Sequence, residues 1–147
     1  MIRKAGPADL ATLAALVERA YAPWVPLLGR RPKPMDDDYA ARIAAGEAFL
    51  LEREGALAGA IVLVDAPDHL WVDNVAVDPA AQHRGVGRTL LAFAEAEARR
   101  RGQAELRLLT NAGMLRNIAL YQRLGYVETA REAVAGTTRV RMAKRLG

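Results

Sequence analysis

Residues 82–87 read Gln-His-Arg-Gly-Val-Gly and lie between an apolar run that ends at Val77 and a long amphipathic stretch that begins at Val86. This order predicts a strand, a glycine-rich turn and a helix whose first N–H groups have no acceptor within the helix. Glycine lets a ligand approach the backbone closely, and the positive end of the helix dipole favours an anion. We therefore expect this segment, here called the phosphate loop, to bind a pyrophosphate. Its candidate contact residues are Gln82, His83, Arg84, Gly85, Val86, Gly87 and Arg88.

Two common phosphate motifs do not fit the phosphate loop. A P-loop carries Lys directly after a glycine, and no Lys follows either glycine here. The dinucleotide-binding fingerprint requires Gly or Ala three residues after its second glycine, where this chain has Leu90. The remaining pattern, Gln-x-x-Gly-x-Gly, resembles the acyl-coenzyme A loop of the GNAT family of N-acetyltransferases, whose signature is Arg/Gln-x-x-Gly-x-Gly/Ala.

A second motif lies further along the chain. Residues 117–126 read Asn-Ile-Ala-Leu-Tyr-Gln-Arg-Leu-Gly-Tyr, which resembles the GNAT helix that ends in Leu-Tyr-x-x-x-Gly-Phe/Tyr. Both motifs occur in the family's order and spacing, and the resemblance covers nearly the whole chain. It implies an N-acetyltransferase that moves an acetyl group from acetyl-CoA to a primary amine by direct attack in a ternary complex.

Two other classes of function compete with this interpretation. The first is a non-catalytic acyl-CoA-binding or regulatory module on the same fold, which would need Gly85 and Gly87 but neither Tyr121 nor Asp73. The second is a nucleic-acid-associated protein, because the net charge is +4 and the isoelectric point is near 9.8. Much of that charge lies in residues 99–101 at a predicted helix end, where cations complement the dipole. The distribution of positive charge therefore argues against a nucleic-acid partner.

The proposed reaction defines the catalytic groups to look for. A base, or a water that it holds, removes a proton from the amine, and an acid protonates the leaving thiolate. The resemblance implies that Tyr121 is the acid, because the acid of many GNAT members stands before x-x-x-Gly. Asp73 is the candidate base, at a position where some members carry a Glu that acts through water. Each also has a structural alternative, Tyr121 as a packed core residue and Asp73 as a turn cap or the partner of an arginine.

The pantetheine arm of acetyl-CoA is expected to contact a strand and an asparagine. By resemblance, a bulge in the strand after Leu70 frees backbone N–H groups for the arm and the thioester oxygen. The candidate strand residues are Val75, Ala76 and Val77. Many family members carry Asn seven residues before the Tyr, where this chain has Met114. Asn111 and Asn117 are both candidates for the contact, and the sequence does not choose between them.

The acceptor amine is expected beside an aromatic-rich segment. In the GNAT family, the region that corresponds to residues 21–39 forms a wall of the acceptor pocket. The candidate acceptor-binding residues are Tyr21, Trp24, Tyr39, Trp71 and Asp73. The same pattern also fits a loop that its aromatic side chains merely hold in place. The acidic run at residues 36–38 favours helix capping over attraction of a cationic amine. Small-molecule and peptide amines both stay open as acceptors.

Composition limits the class of protein. The chain has 147 residues, 52% apolar and 26% charged, as expected for a globular single domain over residues 1–147. It has no Cys and only two His, which argues against disulfides and a metal site. The longest apolar run, residues 56–64, is about half of what a membrane span requires. We therefore expect a cytoplasmic protein without a membrane partner, and a homodimer stays possible.

Hydrophobic periodicity predicts the elements that position these residues. The predicted order is β-αα-βββ-α-β-α-ββ, an α/β fold with a mixed central sheet that is antiparallel except for a splayed parallel pair in the middle. Residues 23–34 are expected to be irregular because of their prolines. The predicted strands cover residues 2–5, 49–52, 57–64, 70–77, 106–110, 126–131 and 137–145. The predicted helices cover residues 7–21, 36–45, 86–101 and 114–124.

Overall fold

The computed structural model describes all residues from 1 to 147, which form seven strands and five helices. The strands are β1 (Ile2–Lys4), β2 (Ala48–Arg53), β3 (Ala56–Asp65), β4 (Leu70–Val77), β5 (Glu105–Asn111), β6 (Val127–Val134) and β7 (Thr137–Arg145). The helices are α1 (Leu10–Tyr21), α2 (Trp24–Leu28), α3 (Tyr39–Ala44), α4 (Val86–Arg100) and α5 (Leu115–Arg123). The predicted order of elements is confirmed, with α2 as an addition.

The strands form a mixed sheet in the order β1-β2-β3-β4-β5-β7-β6. Strands β4 and β5 are parallel, and Leu70–Val72 is in register with Leu106–Leu108. Strand β7 inserts between β5 and β6 and is antiparallel to both. The predicted fold class, an α/β fold with one parallel pair in a mostly antiparallel sheet, is confirmed.

Helix α1 begins at a tight set of polar contacts. The Gly6 N–H donates to the carboxylate of Asp9 at 2.7 Å, and Arg3 donates to both oxygens of that carboxylate at 2.8 and 2.9 Å. These bonds lower the pKa of Asp9 to about 2. The buried residues of α1 run from Leu13 to Tyr21, whereas Leu10 in the first turn is 37% exposed.

The segment after α1 is more regular than predicted. Helix α2 forms between Pro23 and Gly29 because proline is tolerated at a helix start, where its missing N–H leaves no hydrogen bond unmade. Helix α3 begins at Tyr39, later than predicted. Its start is set by Asp38, whose carboxylate accepts the N–H of Ala41 at 3.0 Å.

The chain divides into two compact units. Unit 1 comprises Met1–Leu63 and Asn74–Leu90, and unit 2 comprises Val64–Asp73 and Leu91–Gly147. In unit 1, the fully buried side chains include Leu13, Leu16, Leu50, Ile61 and Leu90. In unit 2, the fully buried side chains include Leu70, Leu91, Leu106 and Met142. The expected single domain over residues 1–147 stays a prediction.

None of the helices combines the length and hydrophobicity that crossing a bilayer requires. No group of three or more His, Cys, Asp or Glu side chains is arranged to hold a metal ion.

Candidate functional site

The phosphate loop adopts a conformation with two residues at positive φ. His83 has φ of 64° and Gly85 has φ of 75°. No atom lies within 4 Å of the position that a Cβ on Gly85 would occupy, so the space beside this residue is open. His83, Arg84, Gly85 and Arg88 are exposed. The loop therefore presents backbone and two arginines to solvent, as an anion site requires.

Helix α4 begins directly after Gly85. The carbonyl of Gly85 accepts both the N–H of Thr89 at 3.0 Å and its hydroxyl at 2.8 Å. The N–H groups of Val86, Gly87 and Arg88 lie in the first turn, where the helix itself provides no acceptor. Together with the helix dipole, these groups give unit 1 the local chemistry of a phosphate site.

A second glycine fixes how closely the start of α4 approaches the sheet. A Cβ on Gly59 of β3 would lie 2.7 Å from Val86 Cγ1, 2.9 Å from the Ala76 carbonyl oxygen and 3.0 Å from Leu90 Cδ1. Only glycine permits this packing, so Gly59 sets the position of the phosphate loop on its strands. Local sequence does not reveal this role of Gly59, because its neighbours come from two other elements.

Strand β4 alternates between a buried and a half-buried face. Leu70, Val72, Asn74 and Ala76 are buried, whereas Trp71, Asp73, Val75 and Val77 are half-buried. Trp71, Asp73 and Val75 therefore share one face of the strand. Ala76 was predicted to contact the pantetheine arm through its backbone N–H. This residue is 1% exposed.

The candidate base, Asp73, contacts another residue of β4. The indole N–H of Trp71 donates to Asp73 Oδ1 at 3.0 Å. The ring of His69 packs edge-on against Trp71, with a centroid distance of 6.1 Å. The carboxylate is therefore oriented by a tryptophan rather than placed in a turn. Its role as the base stays a prediction.

Tyr121 lies on α5 and is buried, with 8% of its surface exposed. Its ring packs edge-on against Tyr126 at 5.8 Å between centroids, and its carbonyl accepts the Tyr126 N–H at 3.0 Å. Burial raises the pKa of Tyr121 to about 12. The phenol is therefore protonated at neutral pH. Burial also raises the pKa of Tyr126, whose hydroxyl has no hydrogen-bond partner.

The two candidate asparagines differ in their contacts. The side chain of Asn111 donates to Thr137 Oγ1 at 2.5 Å and accepts the Gly113 N–H at 2.8 Å, so it already holds the turn after β5. Asn117 is half-buried in the first turn of α5, and its backbone N–H donates to the Met114 carbonyl. The side chain of Asn117 is therefore the less constrained of the two, and the pantetheine contact stays a prediction.

The aromatic candidates for the acceptor wall are buried within unit 1. Tyr21, Trp24 and Tyr39 are 7%, 9% and 5% exposed. The hydroxyls of Tyr21 and Tyr39 both contact the side chain of Asn74. These two hydroxyls are engaged in a buried network, and any contact they make with an acceptor stays a prediction.

The acidic run before α3 serves local structure. Asp38 caps the helix, whereas Asp37 pairs with Arg42 at 3.0 Å and Asp36 pairs with Arg31 at 3.1 Å. The predicted preference for capping is confirmed for Asp38. The other two carboxylates form ion pairs that sequence spacing did not predict.

The profile of the acetyltransferase (GNAT) family matches residues 13–126, and the chain belongs to this family. The ribosomal protein bS18-alanine N-acetyltransferase of Escherichia coli strain K12 is 38% identical over 80 residues, 54% of this chain and 54% of that protein. The enzyme of the same name from Salmonella typhimurium is 43% identical over 61 residues, 42% of this chain and 41% of that protein. The matched region thus spans about half the length of these relatives or less.

Solved structures match over a larger part of the chain. The crystal structure of the ribosomal-protein-S18-alanine N-acetyltransferase from Escherichia coli has a TM-score of 0.80 and 26% identity, and the match covers 99% of this chain and 93% of that one. The PaiA N-acetyltransferase from Thermoplasma acidophilum, solved with coenzyme A, has a TM-score of 0.84 and 18% identity over 99% and 98% of the two chains. The second likeness concerns the fold alone.

Proposed function

We propose that this chain is an N-acetyltransferase that moves an acetyl group from acetyl-CoA to a primary amine by direct attack in a ternary complex. The observation that carries the proposal is the phosphate loop of a GNAT family member, with Gly85 at positive φ and the bare first turn of α4 beside it. Its open space and outward N–H groups suit the pyrophosphate of coenzyme A.

The catalytic residues supply proton transfers. The amine nitrogen attacks the thioester carbon, the carbon–sulfur bond breaks, and the amine loses one proton to Asp73 or to a water that Asp73 holds. Tyr121 is protonated at neutral pH and gives its proton to the departing thiolate. Both residues return to their starting states by exchange with solvent.

The backbone of β4 and one asparagine bind the pantetheine arm of acetyl-CoA in this proposal. The N–H groups of Val75, Ala76 and Val77 bind the pantetheine amides and the thioester oxygen, where they stabilise the developing oxyanion. Asn117 is the better candidate for a further contact with the arm, because both ends of the Asn111 amide are already bonded.

A protein amine is the first acceptor to test. The relatives named above act on alanine of ribosomal protein bS18. An alanine side chain is a methyl group, so alanine has an acetylatable amine only at a chain terminus. We accordingly propose a peptide N-terminal amine as acceptor, in the cytoplasm, where ribosomal proteins are made. Small-molecule amines are the competing acceptors.

The test measures thiol release from acetyl-CoA with a panel of amines. The panel contains a peptide with a free N-terminal alanine, the same peptide with a blocked N-terminus, and small amines. Release with the free peptide and none with the blocked one supports the proposal. Tight binding of CoA without thiol release for any amine would instead identify a non-catalytic acyl-CoA-binding module.

A further inference from the structure

Arg53 connects the β2–β3 hairpin to the phosphate loop. One terminal nitrogen of its guanidinium donates to the carbonyl oxygen of Arg84 at 2.8 Å, and the other donates to Thr89 Oγ1 at 3.3 Å. The Thr89 hydroxyl in turn donates to the Gly85 carbonyl at 2.8 Å. Arg53 and Thr89 therefore hold two consecutive carbonyls of the loop, and all of these residues belong to unit 1.

Fixing these two carbonyls also fixes the direction of two N–H groups. In a planar trans peptide, the C=O of one residue and the N–H of the next point in opposite directions. Because the Arg84 carbonyl is turned towards Arg53, the Gly85 N–H points away from Arg53. Because the Gly85 carbonyl is turned into α4 towards Thr89, the Val86 N–H points out of the helix start.

The β2–β3 hairpin holds Arg53 in a fixed position beside the phosphate loop. It is the last residue of β2 and is in register with Ala56 of β3. The two turn residues between them, Glu54 and Gly55, have φ of 53° and 77°, as in the tight turns that suit hairpins. The loop needs such support, because His83 is a non-glycine residue with φ of 64°.

We propose that Arg53, acting with Thr89, is a positioning residue that holds the phosphate loop with the Gly85 and Val86 N–H groups directed at a diphosphate. The ligand class is the pyrophosphate of coenzyme A, so the inference rests on the proposed function. Arg53 and Thr89 are not among the residues that the Gln-x-x-Gly-x-Gly motif specifies. Arg53 lies 31 residues before Arg84, and only the fold brings the two together.

The experiment titrates CoA and 3′-dephospho-CoA into the wild type, Arg53→Met, Arg53→Lys and Thr89→Val by calorimetry. Both ligands contain the pyrophosphate, and only CoA contains the 3′-phosphate. Arg53→Met is expected to weaken both ligands by the same factor, about tenfold, for the loss of a charge-assisted hydrogen bond. Arg53→Lys keeps the charge but not the forked donor, and is expected to weaken both ligands as well.

Further measurements separate positioning from other roles. The KM for acetyl-CoA should rise in Arg53→Met while kcat stays near the wild-type value. Combining Arg53→Met with Thr89→Val should cost less than the product of the single effects, because both act on one loop. The matched control is Arg131→Met, which removes an exposed arginine of β6 and should leave CoA affinity unchanged. Melting temperatures identify any variant that fails to fold, and Thr89→Val then carries the test.

Three results would overturn the inference. Unchanged CoA affinity in folded Arg53→Met and Thr89→Val removes any role in the loop. A loss confined to CoA, with dephospho-CoA unaffected, means that Arg53 contacts the 3′-phosphate directly. Full recovery in Arg53→Lys means that charge alone matters. A wild type that does not bind CoA contradicts the proposed function itself and is distinguishable from all three.

Discussion

The hydroxyl of Tyr21 at the end of α1 donates a hydrogen bond of 2.5 Å to the side-chain oxygen of Asn74 in β4. The amide of Asn74 donates to the Tyr39 hydroxyl at 2.8 Å, and Tyr39 donates to the Pro34 carbonyl at 2.5 Å. Asn74 is only 5% exposed. One buried amide thus joins α1 and the start of α3 to β4, at the residue next to the predicted base.

We expect this network to stabilise the fold measurably. Tyr21→Phe leaves the Asn74 oxygen without its donor, at a cost of about 1–3 kcal/mol in the free energy of unfolding. Asn74→Leu removes the Asn74 hydrogen bonds of both tyrosine hydroxyls and should cost more than Tyr21→Phe does. Urea unfolding measures both losses, and the double variant should show less than the sum because the residues share one bond.

The matched control for this prediction is Tyr126→Phe. It removes a buried tyrosine hydroxyl that has no hydrogen-bond partner, so stability should stay the same or increase. Equal losses in Tyr21→Phe and Tyr126→Phe would show that the Tyr21–Asn74 bond contributes nothing beyond packing.

The sequence revealed local geometry better than long-range contacts. The phosphate loop was predictable because its glycines, the strand before it and the helix after it are neighbours in the chain. The same holds for the cap at Asp38, three residues from its donor. Sequence could not supply the partner of Asn74, since Tyr21 lies 53 residues away, nor the clash distances at Gly59. Such pairs depend on how elements pack, and no local pattern records them.

The open space at Gly85 gives the next prediction. Gly85→Ala forces a Cβ onto a residue with φ of 75°, at a cost of about 1–2 kcal/mol in folding free energy. The loop relieves that strain by moving, which redirects its N–H groups. CoA affinity should therefore collapse, as it should in Gly87→Val, while thermal melting shows a mostly intact fold.

Gly136 provides a control of equal strain for Gly85→Ala. It has φ of 79°, has nothing within 4 Å of its Cβ position and lies in the exposed turn between β6 and β7. Gly136→Ala should lower the melting temperature by a similar amount with no change in CoA affinity. CoA binding that survives in both Gly85→Ala and Gly87→Val would contradict the phosphate site.

Asp73 is expected to matter for turnover and not for cofactor binding. Asp73→Asn keeps an oxygen that accepts the Trp71 indole N–H, so stability should change little. If Asp73 takes the amine proton, directly or through water, kcat/KM for the acceptor should fall by about 10²-fold. Calorimetry should give the wild-type affinity for CoA.

Asp68→Asn is the control for the loss of a carboxylate. Asp68 is exposed and pairs with His69 and Arg107. Its substitution should leave kcat/KM within a few-fold of the wild type. Wild-type kinetics in Asp73→Asn would make Asp73 a structural carboxylate and leave water as the proton acceptor.

The last prediction concerns the Tyr121 hydroxyl. Burial raises the pKa of Tyr121 to about 12, so the folded protein favours the protonated phenol, and this group loses its proton only as pH rises towards that value. The wild-type kcat should therefore show no decline from this group between about pH 7 and pH 10. Tyr121→Phe should lower kcat by about 10²-fold, the low end for general acids because a thiolate already leaves readily. KM for acetyl-CoA should stay within a few-fold.

Stability and pH distinguish the acid role of Tyr121 from packing. The phenylalanine ring keeps the edge-on contact with Tyr126, so the melting temperature of Tyr121→Phe should match that of the wild type. Changing the pH should not restore its rate, because no ionisation supplies the missing proton donor. Tyr126→Phe serves again as control, since it removes the neighbouring hydroxyl and should retain activity. Should Tyr121→Phe turn over its true acceptor at the wild-type rate, Tyr121 is a core residue and water protonates the thiolate.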